Sequence, residues 1–140
     1  MRKRYFLILL VAVGILIFWQ FGYQYALRCF FRISGTVSLS PAAIPPLPSN
    51  TMLLLVAKNK TGVPVAIKKI INPIFPTKFE ITSSNLIMPD ILTRHIFIEA
   101  YFNAHGQIKN LSRNDLYGDK KMPLNIRTKG VKLQLENFVK

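Results

Sequence analysis

Two histidines and three of the methionines are the side chains of this sequence that are best suited to binding a transition metal. Imidazole and thioether groups are ligands that copper and haem iron accept. Their spacing matches no metal-binding motif, and the first histidine begins a predicted strand while the second lies in a predicted turn. We therefore expect no cofactor, but copper or haem binding stays open for these residues. They are His95, His105, Met52, Met88 and Met122.

The acidic residues give no sign of a catalytic pair. The chain has 6 Asp and Glu, and no two are spaced as acid and base partners on one element. Asp115 and Asp119 lie in turn sequences, where short acidic side chains accept hydrogen bonds from nearby backbone. No nucleophile elbow, phosphate-binding loop, dinucleotide fingerprint or zinc-protease motif occurs. The sequence predicts a protein that is not an enzyme.

The single cysteine, Cys29, excludes a disulfide framework and a two-cysteine redox pair within the chain. Arg28 precedes it, where a lipoprotein signal would need a small residue. We expect a free thiol at a membrane boundary, with palmitoylation as the alternative in a eukaryote.

The stretch Tyr5–Leu27 holds no charged residue. As a helix it would span roughly 34 Å, which exceeds the hydrocarbon thickness of about 30 Å. Trp19, Tyr23 and Tyr25 would form an interfacial aromatic belt at its far end. Because the apolar run is long and no small-x-small site follows it, we expect a retained anchor rather than a cleaved signal peptide.

Basic residues flank this stretch, three at positions 2–4 and two at Arg28 and Arg32. The more basic amino-terminal tail is expected to stay in the cytoplasm. The prediction is a single-pass protein of the bacterial inner membrane, with residues 1–32 as the anchor and residues 33–140 as one periplasmic domain. Gly14, Gly22 and Ala26 would allow another membrane helix to approach closely.

After the anchor, apolar residues recur in short runs separated by Pro, Gly and Asn. Alternation of apolar and polar residues and short continuous apolar runs are typical of strands. After the first strand, Ile33–Ser40, the alternation is clearest in His95–Phe102, with Phe97, Glu99 and Tyr101 on its outward face. Pro41–Asn50 contains four prolines and is predicted to be a stiff connection. Residues 103–121 are predicted to be turns and polar loop, and 85–94 to be irregular with one short helical turn. About seven strands without an amphipathic helix predict an all-β fold, an antiparallel β-sandwich, with a barrel as the alternative. The predicted strands are Ile33–Ser40, Thr51–Ala57, Val63–Ile70, Thr77–Ile81, His95–Phe102, Leu124–Thr128 and Val131–Leu135.

The chain carries 19 Lys and Arg against 6 Asp and Glu, a net charge of +13. Such a charge beside a membrane attracts anionic headgroups or an acidic protein. The lysines are scattered along predicted strands without a recognition helix, so nucleic acid is not an expected partner. The expected partners are membrane lipid and other membrane or periplasmic proteins. The residues expected to make an interface are the outward aromatics and two lysine pairs, namely Phe97, Tyr101, Lys68, Lys69, Lys120 and Lys121.

Six runs of the sequence can be read together as one ordered set. They are ISGTVSLSP (33–41), TMLLLVAK (51–58), GVPVAIKKI (62–70), FPTKFEITSSNLIMP (75–89), HIFIEAYFNAHG (95–106) and NDLYG (114–118). In this order they resemble the carboxy-terminal periplasmic domain of the c-type cytochrome biogenesis protein CcmI (the CcmH carboxy-terminal type). The resemblance implies a β-sandwich that faces the periplasm. Those proteins place two membrane helices and tetratricopeptide helices before this domain, whereas here one helix leads directly into it. Asn114 also replaces the first glycine of the family's Gly-Asp-Leu-x-Gly turn.

The resemblance implies a membrane-anchored interaction module that assists c-type cytochrome maturation or assembly by docking on other proteins. The alternative is a permanent accessory subunit of a cytochrome-containing respiratory membrane complex. A third hypothesis, copper or haem delivery, rests on the histidines and methionines alone.

Overall fold

The computed structural model describes residues 2–43 and 50–137 of the chain. Within these ranges, one long helix precedes eight strands of one sheet that curls into a near-barrel. The predicted class, an all-β domain behind an amino-terminal helix, is confirmed. Single 3₁₀ turns lie at Ser83–Asn85 and Pro89–Ile91. The elements are α1 (Arg2–Phe30), β1 (Arg32–Leu39), β2 (Met52–Lys58), β3 (Pro64–Ile71), β4 (Thr77–Thr82), β5 (His95–Asn103), β6 (Leu116–Asp119), β7 (Leu124–Asn125) and β8 (Val131–Asn137).

The strand order explains how one sheet replaces two separate layers. The order is β3-β2-β5-β6-β8-β1-β4, and the short β7 pairs with the start of β5. These ladders are antiparallel, apart from the parallel pairing of β1 with β8. At the two edges, the Ile87 N–H beyond β4 donates to the Val65 carbonyl of β3 at 2.8 Å. The sheet therefore nearly closes around its core.

The core follows the predicted alternation. In β5 the inward residues Ile96, Ile98, Ala100 and Phe102 are buried. The continuous apolar run of β2 is buried on both faces. Its outer face is covered because Ile108 and Leu111 pack on a second small cluster formed by Leu54, Val56 and Tyr101.

All seven predicted strands occur, although the one predicted over Leu124–Thr128 is limited to Leu124–Asn125. An eighth strand lies where turns were expected. Gly118 and Asp119 belong to β6, so the turn predicted for them is wrong. β6 pairs with β5 on one side and β8 on the other, and these two neighbours supply its hydrogen bonds. Gly118 fits because a Cβ there would lie 2.3 Å from the Gln134 carbonyl oxygen. A close backbone approach, rather than a turn, requires this glycine.

The helix α1 is apolar and long enough to cross a membrane, which makes it a candidate membrane anchor or signal sequence. Its side chains are exposed over most of its length. Its last turn differs, because Leu27 is 6% exposed and packs in the domain core together with Phe31, which is 2% exposed. Arg28 also forms an ion pair with Asp90.

Several predicted segments fall partly on positions that the structure does not describe. Positions 44–49 of the predicted stiff connection, position 1 of the basic tail and positions 138–140 of the domain lie outside the described residues.

Candidate functional site

The candidate site is a groove where β2 ends, β5 begins and β6 ends. Its volume is about 430 Å³. Strand pairing forms it, because Lys58 lies opposite Phe97 and Glu99 lies opposite Asp119. The backbone N–H of Lys120 donates to the Ile98 carbonyl at 2.9 Å. This hydrogen bond places Lys120 and Lys121 beside β5. We call this site the lysine groove; it is lined by Lys58, Lys60, Gly62, Phe97, Ile98, Glu99, Asp119, Lys120 and Lys121.

The turn that carries Lys60 is held by a buried side chain, Asn59. Its Oδ1 accepts the backbone N–H groups of Thr61 and Val63, both at 3.0 Å. Its Nδ2 donates to the Ile91 carbonyl at 3.2 Å and ties the turn to the Pro89–Ile91 segment. Lys60 therefore extends from a fixed backbone, which lowers the entropy lost when the groove binds a partner.

Glu99 is the central acceptor of the groove. Lys58 Nζ lies 2.6 Å from its Oε2, and the Tyr101 hydroxyl donates to the same oxygen. Both groups therefore contact one oxygen of this carboxylate, which links β2 to β5 at the groove. Among the described residues, Lys60, Lys120 and Lys121 form no ion pair. These three ammonium groups are therefore available to a partner.

Two tyrosines lie below Glu99 on the outer face of the sheet, with the rings of Tyr101 and Tyr117 5.2 Å apart. Burial, the hydrogen bond to Glu99 and the charge of Glu99 all raise the pKa of Tyr101. Burial, followed by the charges of Glu99 and Asp119, raises the pKa of Tyr117 to about 12. Both phenols are therefore neutral at physiological pH.

The predicted interface residues divide between the groove and other places. Phe97, Lys120 and Lys121 line the groove, and Phe97 is partly exposed. Tyr101 was expected to be exposed, which is wrong: it is 6% exposed, because Ile108 and Leu111 cover it.

Lys68 and Lys69 lie on β3, outside the groove. Lys68 is paired with Leu55 on the inner face, while Lys69 is paired with Leu54 on the outer face. Neighbouring strand residues point to opposite faces, so these two lysines form no common patch.

The groove also contains four residues that were not predicted as site residues, namely Lys58, Lys60, Glu99 and Asp119. The carboxylates of Glu99 and Asp119 are distant in sequence and become direct neighbours only through the β5–β6 ladder. The sequence does indicate one of them: alternation in the predicted strand His95–Phe102 places Glu99 on the same outward face as Phe97.

His95 begins β5 and His105 lies two residues beyond its end at Asn103, so the length of the strand, on the order of 25 Å, separates them. One metal ion cannot bind both. His105 Nε2 lies 3.0 Å from Asp115 Oδ2, and its Nδ1 accepts the Gln107 N–H at 3.2 Å. No group of three or more His, Cys, Asp or Glu residues suited to a metal occurs in the described part of the chain.

The residues predicted to pack against another membrane helix lie on α1. Gly14 and Gly22 line an apolar hollow on the exposed part of the helix, together with Phe18 and Tyr25. A Cβ at Gly14 would meet nothing within 4 Å. Ala26 lies lower, beside the domain.

No protein family model matches the sequence, and no curated protein matches it. A solved structure with a similar fold is an alternative pilotin from the type II secretion system of Vibrio cholerae. It is 14% identical, with a TM-score of 0.50, and the match covers 78% of this chain and 97% of that chain. At this identity the similarity shows the fold alone.

Proposed function

We propose that this protein is a membrane-anchored interaction module whose β-domain binds another protein beside the membrane. The observation that carries the proposal is the lysine groove, which joins the partly exposed ring of Phe97 to Lys60, Lys120 and Lys121. An aromatic anchor supplies contact area, and the ammonium groups orient an acidic partner and speed its encounter.

Binding without catalysis is the role that best suits this groove. A general base needs a carboxylate that can accept a proton from a substrate. Glu99 Oε2 already contacts the ammonium group of Lys58 and accepts the hydroxyl of Tyr101, so this oxygen is engaged in holding the groove together. The chemistry would therefore belong to the partner.

For the anchor, we propose a single pass through a bacterial inner membrane, with the amino terminus in the cytoplasm and the β-domain in the periplasm. The exposed apolar surface of α1 supports membrane insertion. The basic tail supports the orientation. Burial of Leu27 in the domain core supports retention of the helix, because cleavage that removed its last turn would open the core.

The more specific proposal is assistance of c-type cytochrome maturation or assembly, and it rests on the sequence resemblance described above. The alternative is a permanent accessory subunit of a cytochrome-containing respiratory complex, in which Gly14, Gly22 and Ala26 would contact neighbouring helices. The similar structure is titled as a pilotin of a secretion system, so a secretion complex is a further identity for the partner.

Site-specific photocrosslinking tests the proposal. A photoreactive amino acid is placed at Phe97 in the groove and, as the matched control, at the exposed Lys69 outside it. We expect a partner crosslink from position 97 alone, and its loss in the Lys60→Gln, Lys120→Gln, Lys121→Gln variant. Equal crosslinking from both positions, or none, would contradict the role of the groove.

Purification in mild detergent then distinguishes the partners. Transient recovery with haem-lyase components supports maturation, and stoichiometric retention in a finished cytochrome complex supports the subunit. Recovery with secretion components instead would contradict both cytochrome roles.

A further inference from the structure

The strand directions place one end of the barrel beside the helix α1. β1 starts there at Arg32, directly after α1 ends at Phe30. β8 is parallel to β1, so it also starts at this end of the barrel. Each of the next three ladders, β8–β6, β6–β5 and β5–β2, is antiparallel. The last residues of β6, the first residues of β5 and the last residues of β2 therefore lie at the same end of the barrel. We call it the helix end of the domain.

Basic side chains are concentrated at the helix end. Three of its acidic residues are ion-paired, as Asp90 with Arg28, Glu80 with Arg32 and Glu99 with Lys58. The basic residues exceed the acidic ones there, so this end is electropositive. They are Arg28, Arg32, Lys58, Lys60, Arg94, Lys120, Lys121, Arg127 and Lys129.

A second cavity, of about 550 Å³, lies where α1 meets the domain. Tyr23, Ala26, Leu27 and Phe30 form its helix wall. No acidic side chain is among its described lining residues. We call this cavity the helix notch; the facing wall is formed by Arg94, Asn125, Ile126, Arg127 and Thr128.

The wall that faces the helix is held by backbone hydrogen bonds. The Arg32 N–H donates to the Ile126 carbonyl at 2.8 Å, and the Ile126 N–H donates to the Arg94 carbonyl at 3.2 Å. The Arg127 guanidinium lies 5.2 Å from the centroid of the Phe30 ring. Both arginines are therefore placed beside the helix by the fold.

We propose that the helix notch binds one anionic phospholipid, an inference that rests on the proposed membrane anchoring. The phosphate would lie between Arg94 and Arg127, since guanidinium groups bind phosphate with paired hydrogen bonds. An acyl chain would follow Tyr23, Ala26 and Phe30 onto the exposed apolar surface of α1. This apolar wall, continuous with the candidate membrane span, favours a lipid over an acidic protein.

The test uses the full chain and phosphatidylglycerol, with phosphatidylcholine as the neutral comparison. Native mass spectrometry of the detergent-solubilised protein measures the lipid retained. We expect one phosphatidylglycerol to bind in preference to phosphatidylcholine. Arg94→Gln with Arg127→Gln should lower its apparent affinity roughly tenfold.

The matched control removes two charges from the opposite end of the barrel. Lys109→Gln with Arg113→Gln alters exposed residues in the loop beyond the far end of β5. We expect this variant to keep the affinity of the unaltered protein. An equal loss in both variants, no preference for phosphatidylglycerol, or an acidic protein bound at Arg94 and Arg127 instead of lipid would overturn the inference.

Flotation of the protein with phosphatidylcholine vesicles after alkaline extraction measures insertion of α1 separately. If the protein floats but native mass spectrometry shows no preference for phosphatidylglycerol, the lipid site is overturned and the anchor stands. Failure to float would overturn the anchor itself, and with it the lipid site that depends on it.

Discussion

The ammonium group of Lys58 lies 2.6 Å from Oε2 of Glu99, across two neighbouring strands. In the β2–β5 register, Glu99 is paired with Val56 and Lys58 with Phe97, so the ion pair runs diagonally. The same oxygen accepts the hydroxyl of Tyr101. This carboxylate therefore joins the lysine groove to the covered aromatic pair beneath it.

Glu99→Gln should lower the pKa of Tyr117 from its value of about 12. The substitution removes a negative charge that disfavours the phenolate, while burial, the largest cause, remains. The pKa should therefore stay above the ordinary value of 10. The titration of Tyr117 is obtained by subtracting the tyrosinate absorbance of the Tyr117→Phe variant from that of the folded parent protein, with and without Glu99→Gln. An unchanged titration would show that the Glu99 charge does not reach Tyr117.

Alkaline pH should destabilise the fold through Tyr117. Its pKa is raised in the folded state, so above pH 10 the unfolded state releases a proton that the folded state retains. The stabilising contribution is complete below pH 10 and falls as the pH rises toward about 12. Tyr117→Phe should flatten this part of the profile. Denaturant midpoints on both sides of pH 10 measure it, and identical slopes in the two proteins would contradict the prediction.

Tyr101→Ala should destabilise the domain, whereas Phe97→Ala should weaken partner binding. Tyr101 is buried among Leu54 and Val56, so its loss leaves a cavity and should lower the free energy of unfolding by about 3 kcal/mol. Phe97 is partly exposed in the groove, so Phe97→Ala should lower the free energy of unfolding much less. Urea denaturation and partner crosslinking measure the two effects. A larger stability loss at Phe97 would reverse the assignment.

Gly35→Ala should destabilise the fold by about 2 kcal/mol or more. A Cβ at Gly35 would lie 2.1 Å from the Val131 carbonyl oxygen, which forces apart the parallel ladder of β1 and β8. Gly14→Ala is the matched control, since its Cβ would meet nothing within 4 Å. Thermal denaturation followed by circular dichroism in detergent compares them. Equal melting temperatures would show that β8 can move aside.

Leu27→Ala should lower the free energy of unfolding of the β-domain by about 2–4 kcal/mol, although Leu27 belongs to the helix. Its side chain is 6% exposed and lies in the domain core with Phe31. Phe18→Ala serves as the control, because Phe18 is 79% exposed on α1. Denaturation monitored by the β-sheet signal tests this. A neutral effect of Leu27→Ala would show that helix and domain are energetically separate.

Part of the candidate site could be predicted from the sequence. Alternation in His95–Phe102 correctly separates inward Ile96 and Ile98 from outward Phe97 and Glu99. Alternation assigns a face but does not tell whether a loop covers it. Tyr101 shares the face of Phe97, yet Ile108 and Leu111 bury it.

The sequence by itself determined the apolar helix, seven of the eight described strands and the inward face of β5, because these depend on local periodicity and length. The tertiary structure decided the rest. β6 forms between β5 and β8 despite turn-like residues at Gly118 and Asp119, since its hydrogen bonds come from strands distant in sequence. The same ladders place Phe97 beside Lys58 and Lys120, and the docking of Leu27 brings Arg94 and Arg127 against the helix. Such contacts depend on strand order and register, which local periodicity does not encode.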